Sequence, residues 1–425
     1  MRKLQATNSA MGATMNAQLG FARQQSGEAA FSFEELFYSR TDDRGVIRAG
    51  NDVFQRISGF EWADLINAPH KIVRHPDTPR AVFRILWDAL KKGNPMGAYV
   101  KNRTKSGEFY WVFAVVLPVD DGYLSVRLKP SSPLFERVRA YYEAFSDRER
   151  LEKIDPENGA GELRGLAAAS GFSSYTSFMA FALGQELAAR DARLRRVADG
   201  RTGILVEMNE ALEKATKEQV GLLRSFEALQ SIPNNMRIVA SRLEPSGGPV
   251  SAISENYKAS SLVISERLRS FVAGKGNLCD QMSREVARAL FLLGCGRVVS
   301  EMNRNFVHMR PVTGIDWDEE RGLLERLESS CTAMAREAMS QAAELATALN
   351  RASAEIRRQM LGLDTIRVLG RVECGRMRDT NGGLSATIDQ LDSFHADIKS
   401  RLESIMRLSE VIGTAMTSYL RAEAR

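Results

Sequence analysis

The heptapeptide Val73-Arg74-His75-Pro76-Asp77-Thr78-Pro79 decides how this chain is read. A guanidinium, an imidazole and a carboxylate fall within it, and two prolines bracket Asp77 and Thr78. Each proline fixes its own φ and pushes its predecessor towards extended geometry, which predicts a rigid turn opening into a helix. Thr78 is the expected N-cap and Pro79 the first helical residue. A helix over 81–90 follows, carrying Val82, Phe83, Leu86, Trp87 and Leu90 at helical spacing.

Outward from this turn the apolar period changes from helical to alternating. Upstream, 33–41 and 46–48 flank Asp42-Asp43-Arg44-Gly45 and read as strand, tight turn, strand. Downstream, 97–103, 109–118 and 123–128 are joined by Thr104-Lys105-Ser106-Gly107 and Asp120-Asp121-Gly122, which predicts three antiparallel strands in two hairpins. The expectation is an α+β domain, a five-stranded antiparallel sheet with flanking helices closing a small-molecule pocket over its concave face.

Several polar residues suit such a pocket. Arg74 and His75 could meet a pyrophosphate or a ring carbonyl, and Asn51 and Asn102 could donate and accept around a heteroaromatic ring. Asn51 is equally an N-cap for a helix over 52–57, and Trp87 is equally core or ligand wall. His75 and Asp77 could form an acid/base pair, but no Ser or Cys nucleophile stands in a fitting motif, so no enzyme is expected.

The run 45–128 contains AGNDVFQRISGF, PHKIVRHPDTP, FRILWDALKKGNP, VKNRTKSGEFYWV and LSVRLKP in that order. It resembles the flavin-binding PAS domain of bacterial aerotaxis receptors. The resemblance implies non-covalent FAD, redox or oxygen sensing, and cofactor contacts at Asn51, Arg74, His75, Asp77, Trp87 and Asn102. Where that family has an aromatic after the helix, this chain has Met96, a soft, polarisable contact in its place. Haem is the alternative cofactor, with His70 and His75 as candidate axial ligands, and a scaffold with an empty pocket is the alternative role.

Beyond the sheet, Pro130-Ser131-Ser132-Pro133 breaks the chain, and 134–154 resumes at helical spacing until Asp155-Pro156-Glu157-Asn158-Gly159 closes it. Residues 165–185 lack charge, but a spanning helix needs about 20 apolar residues. Ser170, Gly171, Ser173, Ser174, Tyr175, Thr176 and Ser177 interrupt this stretch, which predicts a buried helix pair and no membrane insertion.

Residues 187–425 are helical in pattern and hold a duplicated hairpin. Met236-Arg237-Ile238-Val239-Ala240-Ser241-Arg242-Leu243-Glu244 with Gly247-Gly248 is echoed by Ile366-Arg367-Val368-Leu369-Gly370-Arg371-Val372-Glu373 with Gly382-Gly383. Apolar residues recur at three and four, as in Val206, Leu212, Leu223 and Phe226 or Leu384, Ile388, Leu391 and Ile398, the seam of an elongated all-α bundle or coiled coil. The segment 232–261 resembles a shortened form of the tip with which methyl-accepting chemotaxis proteins contact their histidine kinase and coupling protein. That resemblance implies those two partners and a homodimer. The tip's usual polar run is replaced by Pro233-Asn234-Asn235, and no stretch of paired Glu/Gln for methylation is visible.

The expected division is a flexible leader over 1–30, a PAS domain over 31–130, a helical linker over 131–200, and hairpins over 201–310 and 311–425. At 425 residues and 44% hydrophobic content the chain can bury several cores. A net charge of +5, with basic and acidic residues interspersed, gives no footprint for nucleic acid. Cys279, Cys295, Cys331 and Cys374 are far apart and in no metal spacing, which fits reduced thiols in a cytoplasmic protein.

Overall fold

The computed structural model describes residues 27–197, 200–241, 248–272, 276–306, 314–376 and 383–423. Strands β1 (Phe37–Asp42), β2 (Ile47–Gly50), β3 (Met96–Arg103), β4 (Phe109–Val119) and β5 (Gly122–Leu128) form one antiparallel sheet in the order β2-β1-β5-β4-β3. The five-stranded α+β architecture expected from the alternating pattern is the one observed. Helices α1 (Asp52–Ser58), α2 (Trp62–Leu65), the short 3-10 turn His70–Val73 and α3 (Arg80–Leu90) carry the chain from the β2 edge to the β3 edge across one face. Gly122 makes the last hairpin possible: its φ is 155°, and a Cβ there would lie 2.0 Å from the Thr41 carbonyl oxygen. Residues ahead of the sheet also join it, since Ala29 N–H donates to Phe109 O at 2.8 Å. The rest of the expected leader, 1–26, lies outside the described residues.

Alternation along the strands sorts the side chains into two faces. Met96, Ala98, Val100 and Asn102 of β3 pair with Val116, Ala114, Val112 and Tyr110 of β4 on the face covered by α1 to α3. Gly97, Tyr99 and Lys101 pair with Val115, Phe113 and Trp111 on the other.

That other face is covered by the chain's own helices. α4 (Pro133–Leu151) starts at a Ser132 cap, α5 (Pro156–Ala169) at Asp155, and α6 (Tyr175–Arg193) at Ser174, each cap oxygen accepting from first-turn N–H groups. Asp155 thus ends one helix by opening the next. The uncharged stretch is the end of α5 and the start of α6, broken at Ser170 as expected. Among the described residues no helix is long and apolar enough to cross a membrane.

The bundle comprises α7 (Gly200–Leu229), α8 (Ile232–Ser241), α9 (Gly248–Val272), α10 (Leu278–Phe306), α11 (Trp317–Arg376) and α12 (Gly383–Glu423). The two hairpins are α8 with α9 and α11 with α12; their turns, 242–247 and 377–382, lie outside the described residues, as do the side chains of Val206, Leu384 and Cys374. Cys279, Cys295 and Cys331 are buried free thiols. Burial pushes Cys279 and Cys331 up to about 12 and Cys295 well above the ordinary range, so all three stay protonated and unreactive.

The core does not respect the expected boundaries. The sheet, α4 to α6, much of α10 and the first turns of α11 share one hydrophobic cluster, which includes Phe113, Phe135, Leu183, Phe291, Cys295, Phe306 and Leu324. α10 explains this: between Val286 and Met302 its buried residues lie on nearly every side of the helix, so it is covered by several elements at once. Phe291 meets the sheet at Gly97, Leu183 of α6 meets Gly294, and Cys331 of α11 meets Gly296. The second cluster, from Met208 to Tyr419, is the bundle proper.

Candidate functional site

The turn 73–79 is held at both ends. His75 N–H donates to Lys101 O at 3.2 Å, and the Thr78 hydroxyl donates to Lys101 O at 2.9 Å while accepting from Lys101 N–H at 3.0 Å. Thr78 is therefore spent on stitching the turn to β3 and does not cap α3. Pro79 occupies the N-cap position, where it offers no side-chain acceptor. Glu149, from the last turns of α4, supplies the cap from a distance: Arg80 N–H donates to Oε2 at 2.9 Å and Ala81 N–H to Oε1 at 3.1 Å. A carboxylate on the N-terminal N–H groups also answers the helix dipole.

The six sequence candidates are not gathered in one place. Asn51 is buried, and its amide is occupied by main chain: Oδ1 accepts from Tyr38 N–H at 3.0 Å and Phe54 N–H at 3.1 Å, and Nδ2 donates to Leu36 O at 2.8 Å. It caps α1 and ties it to β1. Trp87 packs edge-to-face on Tyr123, with ring centroids 5.2 Å apart, and against the turn at Gly45. Arg74 makes a backbone bridge with Asn102 and lays its guanidinium 3.6 Å from the Phe83 ring centre. Burial brings Arg74 down to about 10 despite the pull of Glu149.

His75 and Asp77 sit at the β3 edge. Asp77 accepts from Lys101 Nζ at 2.9 Å and from Arg150 of α4 at 3.2 Å, and its N–H donates to His75 Nδ1 at 3.1 Å. Burial works against the charged form of Asp77, but the hydrogen bond and charge of Lys101, with His75 and Arg150, hold its carboxyl below the usual range. Burial, then the Lys101 ammonium, depress His75 to about 4 against the attraction of Asp77, with Arg103 and Arg150 adding to the depression. Asn102 alone of the six points its amide from the inner face of the sheet. That amide has no hydrogen bond among the described residues, and Met96 shares its face.

Sequence reasoning missed the polar corner of that face. Arg127 on β5 is 2% exposed; its Nε donates to Ser125 Oγ at 3.2 Å and its Nη2 to Ser39 Oγ and to His70 Nε2, the latter at 2.6 Å. Burial and the Arg127 charge push His70 well below its ordinary value, so its imidazole is neutral and accepts through Nε2. That lone pair is the one an axial haem ligand would offer, and Arg127 has taken it. Among the described residues no group of three metal-ligating side chains is found. A signal for Arg127 existed: Leu124, Val126 and Leu128 alternate with Tyr123, Ser125 and Arg127, so a sheet covered on both faces must bury the arginine.

Residues 48–125 match the PAS fold. This segment is a PAS domain. Its relatives are signalling proteins: an alignment of 121 residues is 39% identical to the aerotaxis receptor of Escherichia coli (strain K12), covering 27% of this chain and 24% of the receptor. The nitrogen fixation regulatory protein of Klebsiella pneumoniae is 30% identical over 81 residues, 19% of this chain and 16% of that protein. The solved LOV domain of the Erythrobacter litoralis EL346 blue-light activated histidine kinase is 16% identical over 23% of this chain and 94% of that chain, with a TM-score of 0.20. The chain thus spans less than a quarter of the length of either curated relative. The PAS domain, homologous to that of the aerotaxis receptor, supports a role in signal transduction.

The histidines make the fold acid-sensitive. His395 in the bundle accepts or donates through Nε2 to Tyr257 Oη and lies 3.5 Å from Asp364; burial, against Asp364 and with Arg367, lowers it to about 4. A histidine with a lowered folded value contributes stability above its unfolded pKa, near 6.5, and loses it as pH falls towards the folded value. Each contributes at most about 3 kcal/mol over that window. Urea midpoints should therefore fall steadily from pH 6.5 to 4.5 in the wild type and more shallowly in a His75→Asn, His395→Asn double variant. Parallel profiles would assign the acid response to other groups.

Proposed function

We propose that this protein is a PAS-based signal transducer that binds a flavin, FAD by the resemblance of its motifs, between α1 to α3 and the inner sheet face. It passes the flavin's redox state to the helical bundle. The observation that carries this reading is the double anchorage of residues 74–81, bonded to β3 at and beside Asn102 through Arg74 and Thr78, and to Arg150 and Glu149 of the exit helix through Asp77, Arg80 and Ala81. A displacement at Asn102 or Arg74 is thereby delivered to α4 without an intervening flexible segment. The unpartnered Asn102 amide and the buried Arg127 suit a ring bearing carbonyl oxygens, while Ala98, Val100 and Val112 suit its apolar body.

Bound flavin would supply a two-electron change to the pocket. The chain's own residues hold the ring edge, exclude water and keep His70 neutral beside Arg127. The output is contact and not catalysis: the hairpin of α8 and α9 engages a chemotaxis-type histidine kinase and its coupling protein. Exposed Leu262 and Val263 on α9, and Leu361, Val368, Leu369 and Val372 on α11, suit pairing with a second copy and partner docking.

The test is the visible spectrum of the purified full-length protein before and after dithionite, where flavin bands that bleach are expected. Arg74→Ala and His75→Ala should each raise the Kd for FAD about tenfold to a hundredfold, because each loosens the turn that is pinned to β3 beside Asn102. Wild-type affinity in both variants would remove the turn from the binding site.

A further inference from the structure

Among the described residues Arg190 and Arg127 are the buried arginines, and only Arg190 has a carboxylate partner. Arg190 pairs with Glu301 at 2.5 Å and Arg40 with Glu320 at 2.7 Å. Arg127 is as deeply buried, yet its partners are two serine hydroxyls, the neutral imidazole of His70 and the ring of Phe54, 5.1 Å from the guanidinium carbon. No carboxylate pairs with it among the described residues, and its Nη1 has no hydrogen bond at all. Burial brings Arg127 down to about 10 against the pull of Tyr110. A fully buried guanidinium is normally paired, because desolvating an isolated charge is costly. A second orphan lies on the same face: the Tyr110 hydroxyl is fully buried and without a partner, and Tyr110 is the β4 residue paired with Asn102 in the β3–β4 register.

We infer that Arg127, with Tyr110 and Asn102, forms the recognition pole of the pocket, built for a planar ligand edge rich in acceptor oxygens and carrying negative charge or able to gain it. The inference rests on the flavin reading for its most natural ligand, since a flavin's pyrimidine-like edge has that chemistry and becomes anionic on reduction. A small carboxylate offers the same acceptors. Arg127 then binds the reduced, anionic ring more tightly than the neutral oxidised one, and the difference raises the potential of the bound cofactor. His70 acts as a positioning residue, holding Nη2 so that Nη1 faces the ligand.

The experiment compares Arg127→Met and Arg127→Lys with wild type in the full-length protein. Arg127→Met removes an uncompensated buried charge, so its ligand-free form should be at least as resistant to urea as wild type. Its Kd for FAD should rise about thirtyfold, by loss of a charge-assisted hydrogen bond. A tenfold smaller preference for the reduced form would lower the midpoint potential of the residual bound flavin by about 30 mV. Arg127→Lys should recover part of both. Wild-type affinity and potential in Arg127→Met would overturn the inference and leave the flavin reading standing. A wild-type protein that stays colourless after incubation with FAD would overturn the flavin reading instead, and citrate becomes the probe. Thermal stabilisation by citrate in wild type but not in Arg127→Met would then uphold the pole, and no stabilisation in either would overturn it.

Discussion

Glu186→Leu is expected to destabilise the protein by about 4 kcal/mol, more than any other single change considered. Glu186 of α6 is fully buried where the chain leaves β5. Its carboxylate accepts from the Tyr99 hydroxyl at 2.7 Å, Ser131 N–H at 2.6 Å, Ser132 N–H at 3.1 Å and the Ser132 hydroxyl at 2.5 Å. Leucine fills similar space but strands all four donors, each a desolvated group with nowhere to turn. Glu186→Gln retains one oxygen acceptor and should lose about half as much. Urea unfolding monitored by circular dichroism measures both. A loss below about 1 kcal/mol for the leucine variant would mean that the donors find other partners.

Glu149→Ala should cost about 3 kcal/mol and, more tellingly, expose two named amides. Arg80 and Ala81 N–H are protected only by this carboxylate, which is 3% exposed, and the Arg80 guanidinium lies 3.7 Å from it. Hydrogen exchange at those two positions should accelerate about a hundredfold while exchange in β4 and β5 changes little. Because the same carboxylate joins α3 to α4, the redox response proposed for the bundle should weaken along with the exchange protection. Unchanged exchange at Arg80 and Ala81 would show that α3 is capped by other means.

The sheet was legible because alternation, turn residues and proline geometry are local signals. The alternation predicts strands over 97–103 and 109–118, within a residue of β3 and β4, and of the two roles open to Asn51 its hydrogen bonds fill that of the cap. What was not legible is distant. Thr78 followed by proline looks like a cap at the level of the local sequence, and nothing nearby announces that Glu149 will do that work from 71 positions downstream. The resemblance implies cofactor contacts at His75 and Asp77, and their side chains face Lys101 and Arg150 at the sheet edge. An arginine in a strand is ordinarily solvated, and only the cover of α1 and the His70–Val73 turn on the inner face makes Arg127 buried.

The shared core has a bearing on how this PAS domain can be exchanged for another. Sensors of this kind are commonly thought of as cassettes, an input module exchanged by cutting at the end of its last strand. Here a graft made at residue 130 would carry away the sheet and leave behind Phe291 and Phe306, the side chains that cover Gly97 and Tyr38. Both cut surfaces would be greasy, and a foreign input module would have to reproduce the glycine at the contact as well as the fold. Sheet and bundle in this chain share a common interior, so an exchange of the sheet that keeps its packing must take α10 with it.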